Sequence, residues 1–194
     1  MKRVFVGFAL LLLLCASSRL TPAADRRLPA FELKLLDGST LRSKDLAGKV
    51  TVIDFWATWC QPCLAEIEEY NRFYRAYGSK VRFVALAAES GTEKEVKLAV
   101  KELKIEYPVA APTATELDVF GDIAVLPTTW IVDPEGRIAR EFLGVPPGKH
   151  AVLRELVEKL LKKSANRQVG YWHPGRSQPA RFRPGTEESQ IPNR

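Results

Sequence analysis

The chain has 194 residues, of which 46% are hydrophobic and 27% charged, with three cysteines, two histidines and a formal net charge of +6. That length and apolar share suit one globular domain with extensions, large enough to bury a core without structural disulfides. Two of the six net positive charges fall in residues 1–18 and three in residues 164–194, which leaves about one for residues 19–163, so nothing in the body suggests a phosphate-tracking surface for nucleic acid.

The first stretch, MKRVFVGFALLLLLCASS, sets Lys2 and Arg3 ahead of an apolar run from Val4 to Ala16 and then small residues. This is the layout of a secretory signal, and the run is short of the about 20 residues that cross a bilayer. Ala16 and Ser18 suit a cut before Arg19; Thr21 and Ala23 suit one before Ala24. Residues 1–18 are therefore predicted to be a signal peptide, cut as late as residue 23, with a retained membrane anchor as the alternative. Leu14 stands where a lipidated Cys15 needs a small residue before it. Cleavage removes Cys15 and leaves Cys60 and Cys63 alone.

From Leu28 to Arg42 the run LPAFELKLLDGSTLR alternates on both sides of Asp37-Gly38, which predicts a hairpin. Val50 to Trp56, VTVIDFW, reads as a central buried strand, and Cys63 to Tyr77 as a helix with Leu64, Ile67, Tyr70, Tyr74 and Tyr77 on one stripe, ended by Gly78. Val81 to Ala87 is a further strand. Thr92 and Glu95 form a capping box that opens a helix with Val96, Ala99, Val100 and Leu103 inward. A short extended piece at Tyr107 to Ala110 and a helical piece near Glu116 to Phe120 follow. Thr128 to Val132 and Arg137 to Leu143 read as strands around Asp133-Pro134-Glu135-Gly136, and Ala151 to Leu161 as an amphipathic helix. This order predicts a central mixed sheet with helices on both faces. Residues 164–194, rich in Pro, Gly, Arg and Gln, read as a disordered basic tail. Tyr171, Trp172 and Phe182 among its arginines could touch an anionic surface or a partner.

The segment FWATWCQPC, Phe55 to Cys63, carries the chemistry. A structural zinc site needs four ligands, and only His150 and His173 join the cysteine pair. A two-thiolate Cu(I) site stays open, since thiolates select that ion. A purely structural disulfide closing so small a loop removes little chain entropy. Redox exchange explains the placing better. With Cys60 ahead of the first helical turn and Cys63 inside it, free N–H groups and the helix dipole favour a thiolate at Cys60, and such sites lower a cysteine pKa from about 8.5 to roughly 3.5–7.5. Cys60 attacks, and the more buried Cys63 resolves the mixed disulfide. Gln61 and Pro62 between them help set the redox potential.

FWATWCQPC, with Leu126-Pro127-Thr128-Thr129 and the turn Asp133-Pro134-Glu135-Gly136, resembles the thioredoxin superfamily. The opening PAFELKLLDGSTLRSKDLAGK before VTVIDFWATWC is closer to the exported bacterial TlpA and ResA type of thiol:disulfide oxidoreductase. The match spans about residues 28–162, within a thioredoxin-like domain expected over residues 28–163. It implies an α/β, thioredoxin-like fold: a central mixed β-sheet flanked by helices, with an N-terminal β-hairpin extension. It further implies a cis Pro127 facing the cysteines, with Leu126 offering backbone groups to an extended substrate and no cofactor beyond the redox-active disulfide. Asp54 matches the buried acid that moves protons for the inner cysteine in thioredoxin, although the TlpA and ResA pattern often has an uncharged residue there; a hydrogen-bonded structural carboxylate is the other reading. Glu66, one turn after Cys63, matches a functional glutamate of the ResA pattern, or is a solvated first-turn acid. Trp59 is expected to be an exposed contact surface and Trp56 core.

The resemblance implies a protein-disulfide reductase at the periplasmic or another extracytoplasmic face, acting for example in cytochrome c maturation or metal-site assembly. Its partners would be protein thiols and disulfides, with electrons from a membrane donor. The competing readings are a Cu(I) metallochaperone using the two thiolates, and an adaptor that works through its tail.

Overall fold

The computed structural model describes residues 26–170; the signal reading and most of the basic tail lie outside them. Strands β1 (Glu32–Lys34) and β2 (Thr40–Arg42) pair antiparallel around a turn in which Gly38 takes a φ of 91°, a conformation open to glycine at no steric cost. A short 3-10 turn, Ser43–Leu46, leads to β3 (Thr51–Trp56) and helix α1 (Gln61–Tyr77). After these come β4 (Arg82–Ala87), α2 (Glu93–Glu102), β5 (Val109–Ala110), α3 (Ala114–Asp118), β6 (Thr128–Val132), β7 (Ile138–Leu143) and α4 (Lys149–Gly170).

The main sheet has the order β5-β4-β3-β6-β7. β3 runs parallel to β4 and antiparallel to β6, so the sheet is mixed, as the element order predicts. All six residues of β3 are buried, which is why VTVIDFW shows no polar alternation. Its side chains nevertheless divide by face. Val52 and Trp56 pack with Cys63, Tyr70 and Phe73 of α1 and with Leu153, Val157 and Leu160 of α4. Ile53 and Phe55 pack on the other side with Leu33 and Leu35 of the hairpin segment, Phe120 after α3, and Trp130. The Phe55 ring meets Trp130 edge-on at 4.9 Å and Phe120 at 5.4 Å, an arrangement worth about 0.5–1.5 kcal/mol per pair beyond its area.

Several boundaries shift by a few residues: the strand expected over residues 107–110 is Val109–Ala110, the helical piece expected near residues 116–120 is Ala114–Asp118, and the last helix begins at Lys149 and not at Ala151. Two further shifts have a clear physical reason. Helix α1 opens at Gln61, because Cys60 itself is the N-cap and Pro62 fits the first turn, where no N–H partner is needed. The last helix continues through residues 164–170, which composition assigns to the tail. Nothing from Ser164 to Val169 breaks a helix, and Arg167 pairs with Glu135 in the β6–β7 turn. Proline enters only at residue 174.

Candidate active site

The pairing of β3 with β6 assembles the site. Phe55 lies opposite Thr128, so the chain leaving the carboxyl end of β3 and the chain entering β6 meet at one rim of the sheet. The first carries Trp59 and the cysteines; the second carries Leu126 and Pro127. Cys60 and Cys63 are joined in a disulfide, with sulfurs 2.04 Å and Cα atoms 5.3 Å apart. The backbone N–H of Cys63 donates to Cys60 Sγ at 3.3 Å, the contact that an N-cap side chain makes. One of the orphan donors of the helix therefore points at the sulfur expected to attack.

The Leu126-Pro127 peptide is cis, as the resemblance implies. Pro127 is buried and its carbonyl accepts from Gly144 N–H at 2.7 Å, whereas Leu126 faces a groove of about 840 Å³ shared with Trp59, Cys60, Gln61 and Pro62. Cys63 does not line that groove. Both cysteines are buried, at 5% and 4% exposure, so their asymmetry is one of position: Cys60 lines the groove through which a partner would approach, and Cys63 lies one turn further into the helix. Trp59 is 59% exposed and Trp56 is core.

The loop after β4 supports the tryptophan. Trp59 Nε1–H donates to the carbonyl of Glu89 at 2.9 Å, and Thr58 N–H to Ser90 Oγ at 3.0 Å. Glu89 holds a φ of 46°, a left-handed conformation that a residue with a Cβ adopts at a cost of roughly 1–3 kcal/mol. Sequence reasoning misses Glu89 and Ser90, because the bracing is through space and no motif marks it.

Tyr70, which shares a core with Cys60 and Cys63, belongs to a buried polar cluster. Asp54 Oδ1 accepts from Thr129 Oγ1 at 2.8 Å and from Tyr70 Oη at 3.3 Å, and the two hydroxyls are 2.9 Å apart. Burial pushes the Asp54 carboxyl up to about 7, against the attraction of Lys149 and the hydroxyl hydrogen bonds, with Glu66 adding repulsion. Glu66 is buried too, so the solvated first-turn reading is corrected: its position on α1 turns it inward beneath α4. Lys149 Nζ donates to Glu66 Oε2 at 2.7 Å and to the Gly144 carbonyl at 3.3 Å. His150 Nε2 stands 2.7 Å from Glu66 Oε1, at ion-pair distance but off the hydrogen-bond line.

Sequence reasoning also misses Lys149 and His150 as members of such a cluster. A signal exists: Lys149 precedes Leu153 and Val157 at intervals of four, so the buried stripe of α4 extends back onto it. Among the described residues no group of three or more His, Cys, Asp or Glu could hold a metal ion, and no helix is long and apolar enough to cross a membrane.

A family model described as the AhpC/TSA family matches residues 24–141. A thiol-disulfide oxidoreductase ResA of Bacillus cereus is 35% identical over 117 residues, 60% of this chain and 67% of that protein. Another ResA, from Bacillus thuringiensis subsp. konkukian, is 33% identical over 136 residues, covering 70% of this chain and 75% of its own. Among solved structures, a putative thiol:disulfide interchange protein DsbE from Chlorobium tepidum superposes with a TM-score of 0.64 at 23% identity, over 71% of this chain and 96% of that one. A putative thioredoxin from Neisseria meningitidis gives a TM-score of 0.64 at 27% identity, over 77% and 99%.

Proposed function

The chain belongs to the AhpC/TSA family and has the thioredoxin-like fold, and from that premise we propose that it is an exported protein thiol:disulfide oxidoreductase that cycles Cys60 and Cys63. The observation that carries this is the disulfide at the start of helix α1, with Cys60 as the N-cap lining the groove and Cys63 inside the first turn, three residues before Glu66.

In the reduced protein the Cys60 thiolate attacks a partner disulfide. One partner sulfur leaves as thiolate and the other is bound to Cys60. Cys63 then gives up its proton and attacks Cys60 Sγ; the mixed disulfide breaks, the second partner sulfur leaves with the electron pair, and the Cys60–Cys63 disulfide returns. The partner is reduced by two electrons and this protein is oxidised by two. Asp54 and Glu66 are assigned to receive the Cys63 proton, supported by their burial and by the raised Asp54 carboxyl, which exchanges a proton near neutral pH. Trp59 and Leu126 supply the docking wall, Pro127 holds the Leu126 backbone at the rim, and Gln61 and Pro62 tune the potential. No cofactor beyond the disulfide enters this scheme.

Export rests on the signal layout of residues 1–18. Reduction is the direction that the TlpA and ResA resemblance suggests, with cytochrome or metal-site cysteines as substrates and a membrane protein as electron donor.

The test is Cys63→Ser, expressed with its own leader in its native compartment. Serine fills nearly the same space without attacking sulfur, so covalent complexes through Cys60 are expected to accumulate and to dissolve in added reductant, whereas Cys60→Ser captures far fewer. Cytochrome or copper-site precursors among the captured proteins support the reducing role. No captured protein, together with stoichiometric copper on the wild type that either substitution abolishes, replaces this reading with a Cu(I) carrier.

A further inference from the structure

Two carboxyl groups, Asp54 and Glu66, lie in a buried cluster with one lysine, Lys149, which pairs with Glu66. Lys149 is fully committed inside the fold: its side chain is 0% exposed, with Nζ held between Glu66 Oε2 and the Gly144 carbonyl. One ammonium balances one carboxylate. A proton released by Cys63 onto this cluster must still reach water, or the next cycle begins with the acceptor already filled. Asp54, Glu66, Tyr70 and Thr129 are all buried, so none of them hands a proton to solvent directly.

His150 is placed to do so. Its side chain is 20% exposed and its Nε2 is 2.7 Å from Glu66 Oε1, a buried carboxylate oxygen with no hydrogen bond among the described residues. A buried acceptor without a partner is costly, and a small turn of the ring would align the pair. The groups facing the imidazole from α1 are Glu66, Glu69 and Tyr70, whose ring it meets edge-on at 5.1 Å; on its own helix Lys149 and Arg154 flank it. Histidine is the side chain whose ordinary titration spans neutral pH, which suits a group that must both take and release a proton.

We propose that His150 is a positioning and relay residue that carries the Cys63 proton from Glu66 to solvent, while Lys149 fixes the orientation of Glu66. The proposal rests on the reading of Cys60 and Cys63 as a cycling pair. During resolution the proton passes from Cys63 Sγ to the carboxyl cluster, from Glu66 Oε1 to His150 Nε2, and from the imidazole to water. In the return half-cycle, when a donor reduces the disulfide, the same path runs inward and supplies the proton that Cys63 takes up.

The experiment mixes the reduced full-length protein with a disulfide-bonded protein such as insulin. It reads two steps separately from about pH 5.5 to 8.5: formation of the mixed disulfide and its resolution. General acid–base groups contribute about 100-fold or more, so His150→Gln is expected to slow resolution at pH 7 by at least about tenfold while changing the first step less than about twofold. His150→Ala should be slowed likewise and recover when free imidazole is added, a comparison made within one variant and so independent of its stability. In a Glu66→Gln background, His150→Gln should add nothing. Resolution profiles that superimpose on wild type, or a His150→Ala rate indifferent to imidazole, overturn the relay. A wild type that forms no mixed disulfide at all overturns the oxidoreductase reading instead.

Discussion

Asp54 is conspicuous in the sequence alone: a carboxyl in the middle of VTVIDFW must be paired or protonated. Its environment in the fold gives the sign of its effect. The folded value, about 7, lies above the ordinary 3.8, so the folded state holds more protons than the unfolded one between those limits. Stability therefore falls as pH rises from about 4 to about 7, then levels off, and the full loss is on the order of 4 kcal/mol at about 1.36 kcal/mol per pH unit. Asp54→Asn keeps an oxygen to accept from Thr129 and Tyr70, so it should stabilise the protein by a few kcal/mol at pH 8. It should do little at pH 4, and should slow disulfide turnover at neutral pH; thermal melts and insulin reduction across pH check both, and a variant that melts like wild type at pH 8 contradicts the raised carboxyl. Lys149→Met leaves Glu66 as a buried charge without its cation, an expected cost of about 3–5 kcal/mol in urea unfolding, much of it recovered in the double variant with Glu66→Gln. Glu66 is legible as a candidate from its spacing to Cys63, but burial, which decides between its two readings, comes from α4, about 80 residues away in the chain, and no local pattern reports that.

Among the elements, helix α1 joins fold to chemistry most directly, because its N-cap is the outer cysteine. Serine is a good N-cap and alanine a poor one. With both compared in the reduced state, Cys60→Ser should keep the melting temperature of the wild type, while Cys60→Ala should lose about 1 kcal/mol. Equal stabilities for the two would show that the cap contributes nothing. The capping box of α2 is legible as Thr92 and Glu95, and the structure forms both halves, Glu95 N–H to Thr92 Oγ1 and Thr92 N–H to Glu95 Oε2. Thr92→Ala should cost about 1 kcal/mol by chemical denaturation. Such boundaries are readable because capping is a matter of neighbouring residues. The end of α4 is not: composition marks residues 164–170 as tail, yet a helix already stabilised by packing runs on until something stops it.

For the molecule as a whole, the last turns of α4 offer a direct measurement. Ending the chain at Lys163 removes two turns and the exposed pair of Arg167 with Glu135, so the loss should stay within about 1 kcal/mol. A larger drop in melting temperature would mean that this end of the helix is part of the core. The sequence by itself determined the hairpin, the buried central strand, the capped helices and the cysteine pair, because each is written in residues adjacent in the chain: turn glycines, side-chain period, capping boxes, a two-residue spacing. The family resemblance anticipated Leu126 and Pro127 at the site; only the tertiary structure decided the sheet order that sets Leu126 on one groove with Cys60, and the meeting of Asp54, Glu66, Lys149 and His150. Those contacts join segments tens of residues apart, and the burial that makes a carboxyl titrate near 7 belongs to the space they enclose together.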